Sequence, residues 1–441
     1  MSAGVFVPAS GWAATPARER RPHWAARHLP LALLTALALA AGGCLTAGKR
    51  TFYRYDPEYG VASKEFLNSL EALRAGMVAG NRAVLLENGD GFFPDMLQAI
   101  ANAQHSVNLE TYLFSDGEMP SAFARALAQR AAAGVEVRVL VDGVGARLGA
   151  ALTEKMRAAG VQVRVYKPVR LLSIFRLGDR THRRLLIIDG RIGYCGGWGI
   201  DDRWRGDARS PRQWRELAVR LDGPVVRQMQ RIFMEDWVHT TGEVLHGERH
   251  FPVVPAAGEV LAQAIASSRT DQSSMSKLMF YMGIQAARQR IWISSAYFVP
   301  DRQIRRALVQ AAQRGVDVRV VVPGPHVDIP PVRRASRFYY GELLAAGVRI
   351  YEYQPTMLHT KAMVVDSVWT SIGSVNFSNR SMKKNAEANV VVYDRNFAAA
   401  VETAIEKDIA VSDLFTYGEW KQRGLGDRLL ELLSSLFSEA F

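Results

Sequence analysis

Two stretches of the chain carry the same order of apolar and polar positions. Residues 123–143, FARALAQRAAAGVEVRVLVDG, place Ala and Leu at helical spacing, stop at Gly134 and continue as an alternating Val-rich run. Residues 304–324, IRRALVQAAQRGVDVRVVVPG, do the same around Gly315. Spacing of three and four predicts a helix, the glycine its end, and the period of two a strand. Another strand precedes each helix, SVNLETYLF from Ser106 and RIWISSAYFVP from Arg290. A further one follows, AAGVQVRVY from Ala158 and AAGVRIYEY from Ala345. The chain therefore reads as a duplication, each half ordered strand–helix–strand–helix–strand. Alternating β and α elements with apolar strands predict an α/β fold, each half a mostly parallel mixed sheet flanked by helices.

Three regions depart from the repeat. Pro and Gly cluster in HGERHFPVVPAAGE, residues 246–259, and predict the boundary between halves. The first half alone carries an insert, KPVRLLSIFRLGDRTHR from Lys167, that mixes basic with bulky apolar residues. It reads equally as a lipid-contacting patch and as a loop packed over its own apolar residues. The end of the chain spaces Leu429, Leu432, Leu433, Leu436 and Phe437 as one face of an amphipathic helix, with packing on the body the expected role and membrane contact the alternative.

The first 43 residues form a separate object. Arg18, Arg20, Arg21 and Arg27 precede the apolar run LPLALLTALALAAGGC, the layout of a secretory signal. Two readings stay open: a lipoprotein signal with acylation of Cys44, or an uncleaved membrane anchor over 29–47. Both tether the body to a membrane of the bacterial cell envelope, with the periplasmic side favoured. The formal charge of +12 suits an anionic membrane, a phosphorylated substrate or nucleic acid alike. Only two cysteines occur, Cys44 and Cys195, which leaves no disulfide framework or zinc site in the body.

The chemistry sits in a second repeated pattern. THRRLLIIDGRIGYCGGWG carries His182, then Arg184, Asp189, Gly196, Gly197 and Gly199; LHTKAMVVDSVWTSIGSVN carries His359, then Lys361, Asp366, Gly373, Ser374 and Asn376 at the same offsets. Side chains two apart in a strand share a face, so each His and its cation point the same way, while Asp366 lies on the opposite parity and suits a turn-holding role. Glycines permit close backbone approach to an anion, and Ser374 and Asn376 add donors. Imidazole, ammonium or guanidinium, hydroxyl and amide aimed together form a cradle for phosphate with a nucleophile or acid inside it. No cluster of carboxylates points to a metal, and no cofactor is expected.

These two stretches resemble the paired His-x-Lys-x4-Asp motifs of the phospholipase D superfamily, with Arg184 at the Lys position of the first, over nearly everything after Asn81. LETYLF, VDGVG, GGWGIDDRW, AYFVPD and YEYQPTMLHTK resemble its bacterial cardiolipin synthase branch. The resemblance implies two phospholipase D-like domains (81–250 and 251–410) sharing one active site, between a signal peptide or membrane anchor (1–43) with its linker (44–80) and the C-terminal amphipathic helix (411–441). It implies phosphatidyl transfer between phospholipids, phosphatidylglycerol being the expected donor and acceptor, through a covalent phosphohistidine. His182 would attack and His359 act as acid and base, in an order that family resemblance alone supplies. Lys361 and Arg184 would neutralise the phosphoryl oxygens. Glu387, 28 residues after His359, and Glu216, 34 after His182, match the carboxylates that orient each histidine in the family. Hydrolysis to phosphatidic acid, nuclease activity and a lipid-binding module with an inactive first half remain rivals; phospholipid membrane is the expected partner and nucleic acid is not.

Overall fold

The computed structural model describes residues 52–73, 76–169, 180–267 and 274–438. The anchor or signal over 1–43, Cys44, and the apolar residues of the insert (Leu171, Leu172, Ile174 and Phe175) lie outside them. Helix α1 (Lys64–Glu71) falls in the stretch read as a linker, begins on a Ser63 cap and buries Phe66 and Leu70 against the second half. The first half then runs β1 (Val78–Glu87), α2 (Asn88–Ala101), β2 (Ser106–Thr111), α3 (Glu118–Ala132), β3 (Glu136–Asp142), α4 (Ala150–Ala158) and β4 (Gln162–Tyr166). It closes with β5 (Leu185–Ile188), β6 (Ile192–Gly196), β7 (Leu217–Asp222) and α5 (Val226–Thr241). The second half repeats this order as β8 (Val260–Ser267), α6 (Met275–Ala286), β9 (Arg290–Ser295), α7 (Arg302–Gln313), β10 (Asp317–Pro323), α8 (Pro330–Ala345) and β11 (Arg349–Tyr353). It ends in β12 (Lys361–Val365), β13 (Trp369–Gly373), α9 (Asn379–Lys383), β14 (Glu387–Tyr393) and α10 (Arg395–Ala410), before β15 (Ser412–Phe415), α11 (Tyr417–Gln422) and α12 (Leu425–Ser435).

The strands form one sheet in the order β15-β11-β10-β9-β12-β13-β14-β8-β1-β7-β6-β5-β2-β3-β4. Apart from β15, the order is symmetric about the antiparallel pair β8–β1, so the duplication becomes a two-fold relation in space. The parallel pairing predicted from the strand–helix–strand repeats occurs in β2–β3–β4 and β9–β10–β11. The other pairs are antiparallel, because each motif strand returns at once as a hairpin, β5–β6 and β12–β13. Residues 242–259, without helix or strand, join the halves where the Pro and Gly cluster lies.

Each sheet half is buried on both faces, which is why its strands read as near-continuous apolar runs. In β12, Met363 and Val365 face the helices α6, α7 and α8, while Ala362 and Val364 face the layer that holds α5 and α10. Those two helices cross over: α5 packs on β8 and α10 on β1, locking one half to the other. The tips of the motif hairpins are matched as well. Asp189 and Asp366 adopt left-handed φ of 53° and 49°, and each carboxylate accepts three backbone N–H groups. Asp189 takes those of Gln104, His105 and Ser106, and Asp366 those of Arg288, Gln289 and Arg290, at 2.7–2.9 Å. Three charge-assisted bonds tie the end of each motif strand to the start of its neighbour. Among the described residues no helix is long and apolar enough to cross a membrane.

Candidate active site

The two histidines meet where the halves meet. Thr181 bridges to Ala386 and Leu358 to Arg215, two short backbone pairings across the two-fold relation. They carry the histidine N–H groups with them: His182 donates to the Ala386 carbonyl at 2.8 Å and His359 to that of Arg215 at 2.8 Å. The residue after each of those carbonyls is a glutamate. His182 Nδ1 therefore lies 3.0 Å from Glu387 Oε2, and His359 Nδ1 lies 2.6 Å from Glu216 Oε2. Each imidazole is oriented by a carboxylate of the opposite half. Pairing by sequence offset, Glu216 with His182 and Glu387 with His359, is the reverse of what the fold builds. The reason is that β7 and β14 flank the central β8–β1 pair, and Glu216, just before β7, and Glu387, the first residue of β14, reach across it.

Both glutamates are fully buried, and both imidazoles nearly so, with side chains 13% exposed at His182 and 5% at His359. Burial, then the Arg184 charge, lowers the His182 imidazole from 6.5 to about 4, with Glu387 pulling it back up. Burial and the charges of Lys361 and Arg184 push His359 well below its ordinary value, and His182 adds to that push. Burial lowers Lys361 to about 7 and raises Glu216 to about 7. Groups from both halves thus act on one another electrostatically, as they must if they share one low-dielectric site.

The cations differ in how they engage their histidines. Arg184 spans its own, one guanidinium nitrogen on the His182 carbonyl at 2.7 Å and the other 2.8 Å from Nε2. Lys361 folds back on His359, its Nζ 2.9 Å and 3.2 Å from the two ring nitrogens and donating to the His359 carbonyl. Arg183, between His182 and Arg184, points away: it is buried against α5, with Glu235 at 3.1 Å and Asp236 at 3.3 Å.

The glycine and hydroxyl positions support the carboxylates. Ser374 Oγ donates to Glu387 at 2.5 Å, and Asn385 Nδ2 at 3.2 Å. Gly197, at the same offset as Ser374, faces Glu216 so closely that a Cβ would sit 2.4 Å from Oε2. Gly196 and Gly373 back onto the neighbouring strands β7 and β14, where a Cβ would strike Leu217 and Asn389. Asn376 is buried and accepts the Tyr297 N–H at 3.2 Å, which fixes the end of β9. Gly199, its counterpart, leaves room for the Trp204 ring. Asp189 and Asp366 lie at the far ends of their strands, bound to backbone, and are not brought to the histidines.

Five further residues shape the site without forming part of the motif. Tyr112 stands edge-on to His182 at 5.1 Å, and Trp204 and Trp214 enclose His359 at 5.1 and 5.0 Å. Trp204 Nε1 donates to Glu216 at 3.3 Å. Tyr297 donates to Asp328 at 2.5 Å, and Arg203 lies over both tryptophans. The repeat itself holds a signal for the tyrosines, since Tyr112 and Tyr297 follow the ends of the equivalent strands β2 and β9. Among the described residues no group of His, Cys, Asp and Glu side chains is placed to hold a metal ion. Two imidazoles with buried carboxylates, between two cations, can hold a phosphodiester, attack it and shuttle a proton.

Comparison with known proteins points the same way. The family model described as "Cardiolipin synthase, PLD-like domain" matches residues 96–237 and 282–409. A cardiolipin synthase of Geobacillus kaustophilus is 35% identical over 362 residues, 81% of this chain and 72% of that protein. Cardiolipin synthase A of Pseudomonas putida is 35% identical over 374 residues, 82% and 76% respectively. Among solved structures, a phosphatidylserine synthase of Haemophilus influenzae superposes with a TM-score of 0.66 at 12% identity, covering 86% of this chain and 99% of that one, a likeness of fold.

Proposed function

This chain belongs to the cardiolipin synthase branch of the phospholipase D superfamily, and from that premise we propose how it transfers a phosphatidyl group and to what. The chain is a phospholipid phosphatidyltransferase. Phosphatidylglycerol is the proposed donor and acceptor, giving cardiolipin and glycerol. One observation carries the mechanism: each imidazole has its Nδ1 on a carboxylate of the other half, which turns both Nε2 atoms toward the motif cations. Arg184 lies 2.8 Å from that of His182 and Lys361 3.2 Å from that of His359, and these cations pass to the phosphoryl oxygens when a phosphodiester takes their place.

His182 is the nucleophile in this reading. It is the more exposed of the two, and at about 4 it stays neutral with a nitrogen lone pair at neutral pH. Its Nε2 attacks phosphorus, an N–P bond forms, and the P–O bond to the leaving glycerol breaks. His359 supplies the proton to the departing alkoxide. Its partner Glu216, raised to about 7, supports that assignment because the pair can hold a proton at neutral pH. Burial and the charges of Lys361 and Arg184 depress His359, and a phosphodiester anion placed against the two cations offsets their share and favours imidazolium. In the second step the acceptor hydroxyl gives its proton to His359 Nε2 and attacks phosphorus, and the N–P bond to His182 breaks. Arg184 and Lys361 neutralise the phosphoryl oxygens throughout.

The leader-like pattern of residues 1–43 supports a body tethered to the envelope membrane on the periplasmic side, beside its substrates. Purified protein with phosphatidylglycerol vesicles tests the reading. Cardiolipin and glycerol in equal amounts are expected. Phosphatidic acid as the product would establish hydrolysis instead, and DNA cleavage without lipid turnover would reject the lipid substrate.

A further inference from the structure

The last helix is amphipathic in the opposite sense from a packed one. α12 lies on α8, and its buried residues are polar: Glu431, 3% exposed, and Ser435. Glu431 pairs with Arg423, which in turn donates to the Arg337 carbonyl of α8. The leucines expected to pack on the body face outward instead, Leu429 56%, Leu433 47% and Leu436 64% exposed, with Leu425, Leu430, Leu432 and Phe437 beside them. An apolar face of that extent on a helix held by its polar edge requires a partner.

Two features of the surroundings identify it. Beside the helix lies a cavity of about 680 Å³ walled by Phe338, Tyr339, Trp420 and Leu432, with Lys421 and Arg428 at its rim. Arg334 lines the adjoining hollow against Leu430. These three cations are exposed and, among the described residues, form no ion pair, unlike Arg305 and Arg423, whose charges are met by Glu342 and Glu431. Unpaired cations bordering exposed leucines and aromatic rings match the layered chemistry of an anionic lipid surface, phosphate outside and acyl chain within. Second, the segment 324–329 before α8 links this surface to the active site. Pro325 and Val327 line the hollow with Asp427 and Leu430, while Asp328 accepts from Tyr297, whose N–H is held by Asn376. The hollow beside α12 and the active site are therefore joined through the adjacent residues Val327 and Asp328.

We propose that α12, with the cavity it shares with α8 and α11, docks on an anionic phospholipid bilayer and holds the active site at the lipid surface. This rests on the phosphatidyltransferase reading for why the site must face lipid, but its test does not require turnover. A dansyl amino acid in place of Leu433 in the full chain reports the polarity around α12. With vesicles of phosphatidylglycerol and phosphatidylcholine, its emission should rise, shift to the blue and be quenched by doxyl-labelled lipid. At roughly a factor of five for each cation lost near an anionic surface, Lys421→Ser with Arg428→Ser should raise the lipid needed for half the response about 25-fold. No response, or the same response to pure phosphatidylcholine, overturns the proposal. So does a response that grows with protein concentration in the absence of lipid, which would mean a second copy covers the helix. An unresponsive helix in a protein that still makes cardiolipin rejects the docking alone. A responsive helix in a protein that makes none rejects the transferase reading and leaves the docking standing.

Discussion

The halves share one backbone plan and differ in how they treat the carboxylate behind the histidine. Glu387, behind His182, takes bonds from the Ser374 hydroxyl and the Asn385 amide. Glu216, behind His359, meets Gly197 where the twin has Ser374, and Trp214 stands two residues before it where the twin has Asn385. It keeps one indole N–H and the Leu217 amide. Two side-chain donors hold Glu387 in place behind His182, whereas burial in the aromatic box around Glu216 and His359 raises Glu216 to about 7 and favours a shared proton. Duplication supplied two histidines; divergence of the residues behind them gives the two imidazoles different surroundings, as the proposed split into nucleophile and acid requires.

The largest break in this comparison comes from the imidazoles themselves. His182→Ala and His359→Ala should each lower turnover by about 10⁴-fold or more, because residues acting as a unit fail together. Retained activity in either would separate the halves. Next comes the proton pair. Glu216→Gln should cost on the order of 10²-fold or more as general acid catalysis is lost. The pH profile sharpens the same point. His182 stays neutral until pH falls through about 4, and Lys361 loses its charge as pH rises through about 7, so kcat/KM should be level between those values and fall on both sides. Lys361→Arg should remove the alkaline fall; a profile that keeps it assigns that limb to the His359–Glu216 pair.

Smaller changes probe the supports. Ser374→Gly removes one hydrogen bond to Glu387, and a loss of about 1.4 kcal/mol should show as roughly tenfold slower turnover. Asp366→Asn should leave the pH profile in place and lower unfolding free energy by about 1–3 kcal/mol, measured by denaturant titration, because it weakens charge-assisted bonds at a hairpin tip. A changed profile would bring Asp366 into the chemistry.

Much of this was legible in sequence, because the repeat places His182 and His359 at equal offsets from Arg184 and Lys361, and strand parity puts each pair on one face. Strand and helix periods of the halves were readable for the same reason. The crossed pairing of His182 with Glu387 was not, since offsets within a half say nothing about which strand crosses a two-fold axis. Trp204 and Trp214 were given no role because the second half repeats neither ring: Asn385 stands where Trp214 does, and Trp204 ends a short 3₁₀ turn in a connection longer than its twin. The tail was read with its face inverted: Leu429, Leu433 and Leu436 predict a helix correctly, but only contact with α8 reveals that Glu431 and Ser435 face inward. Phe66 and Leu70, inside the supposed linker, are too few to announce a core helix.

The proposed division of labour between the halves rests on one bond, phosphorus to His182 Nε2. Acid-stable trapping is not available to a phosphohistidine, so the reaction is best quenched in base after milliseconds of mixing with phosphatidylglycerol, digested, and mapped by mass spectrometry. A phosphatidyl adduct is expected on the peptide that carries His182 and none on the peptide that carries His359. An adduct on His359, or turnover with no adduct on either histidine, would contradict it.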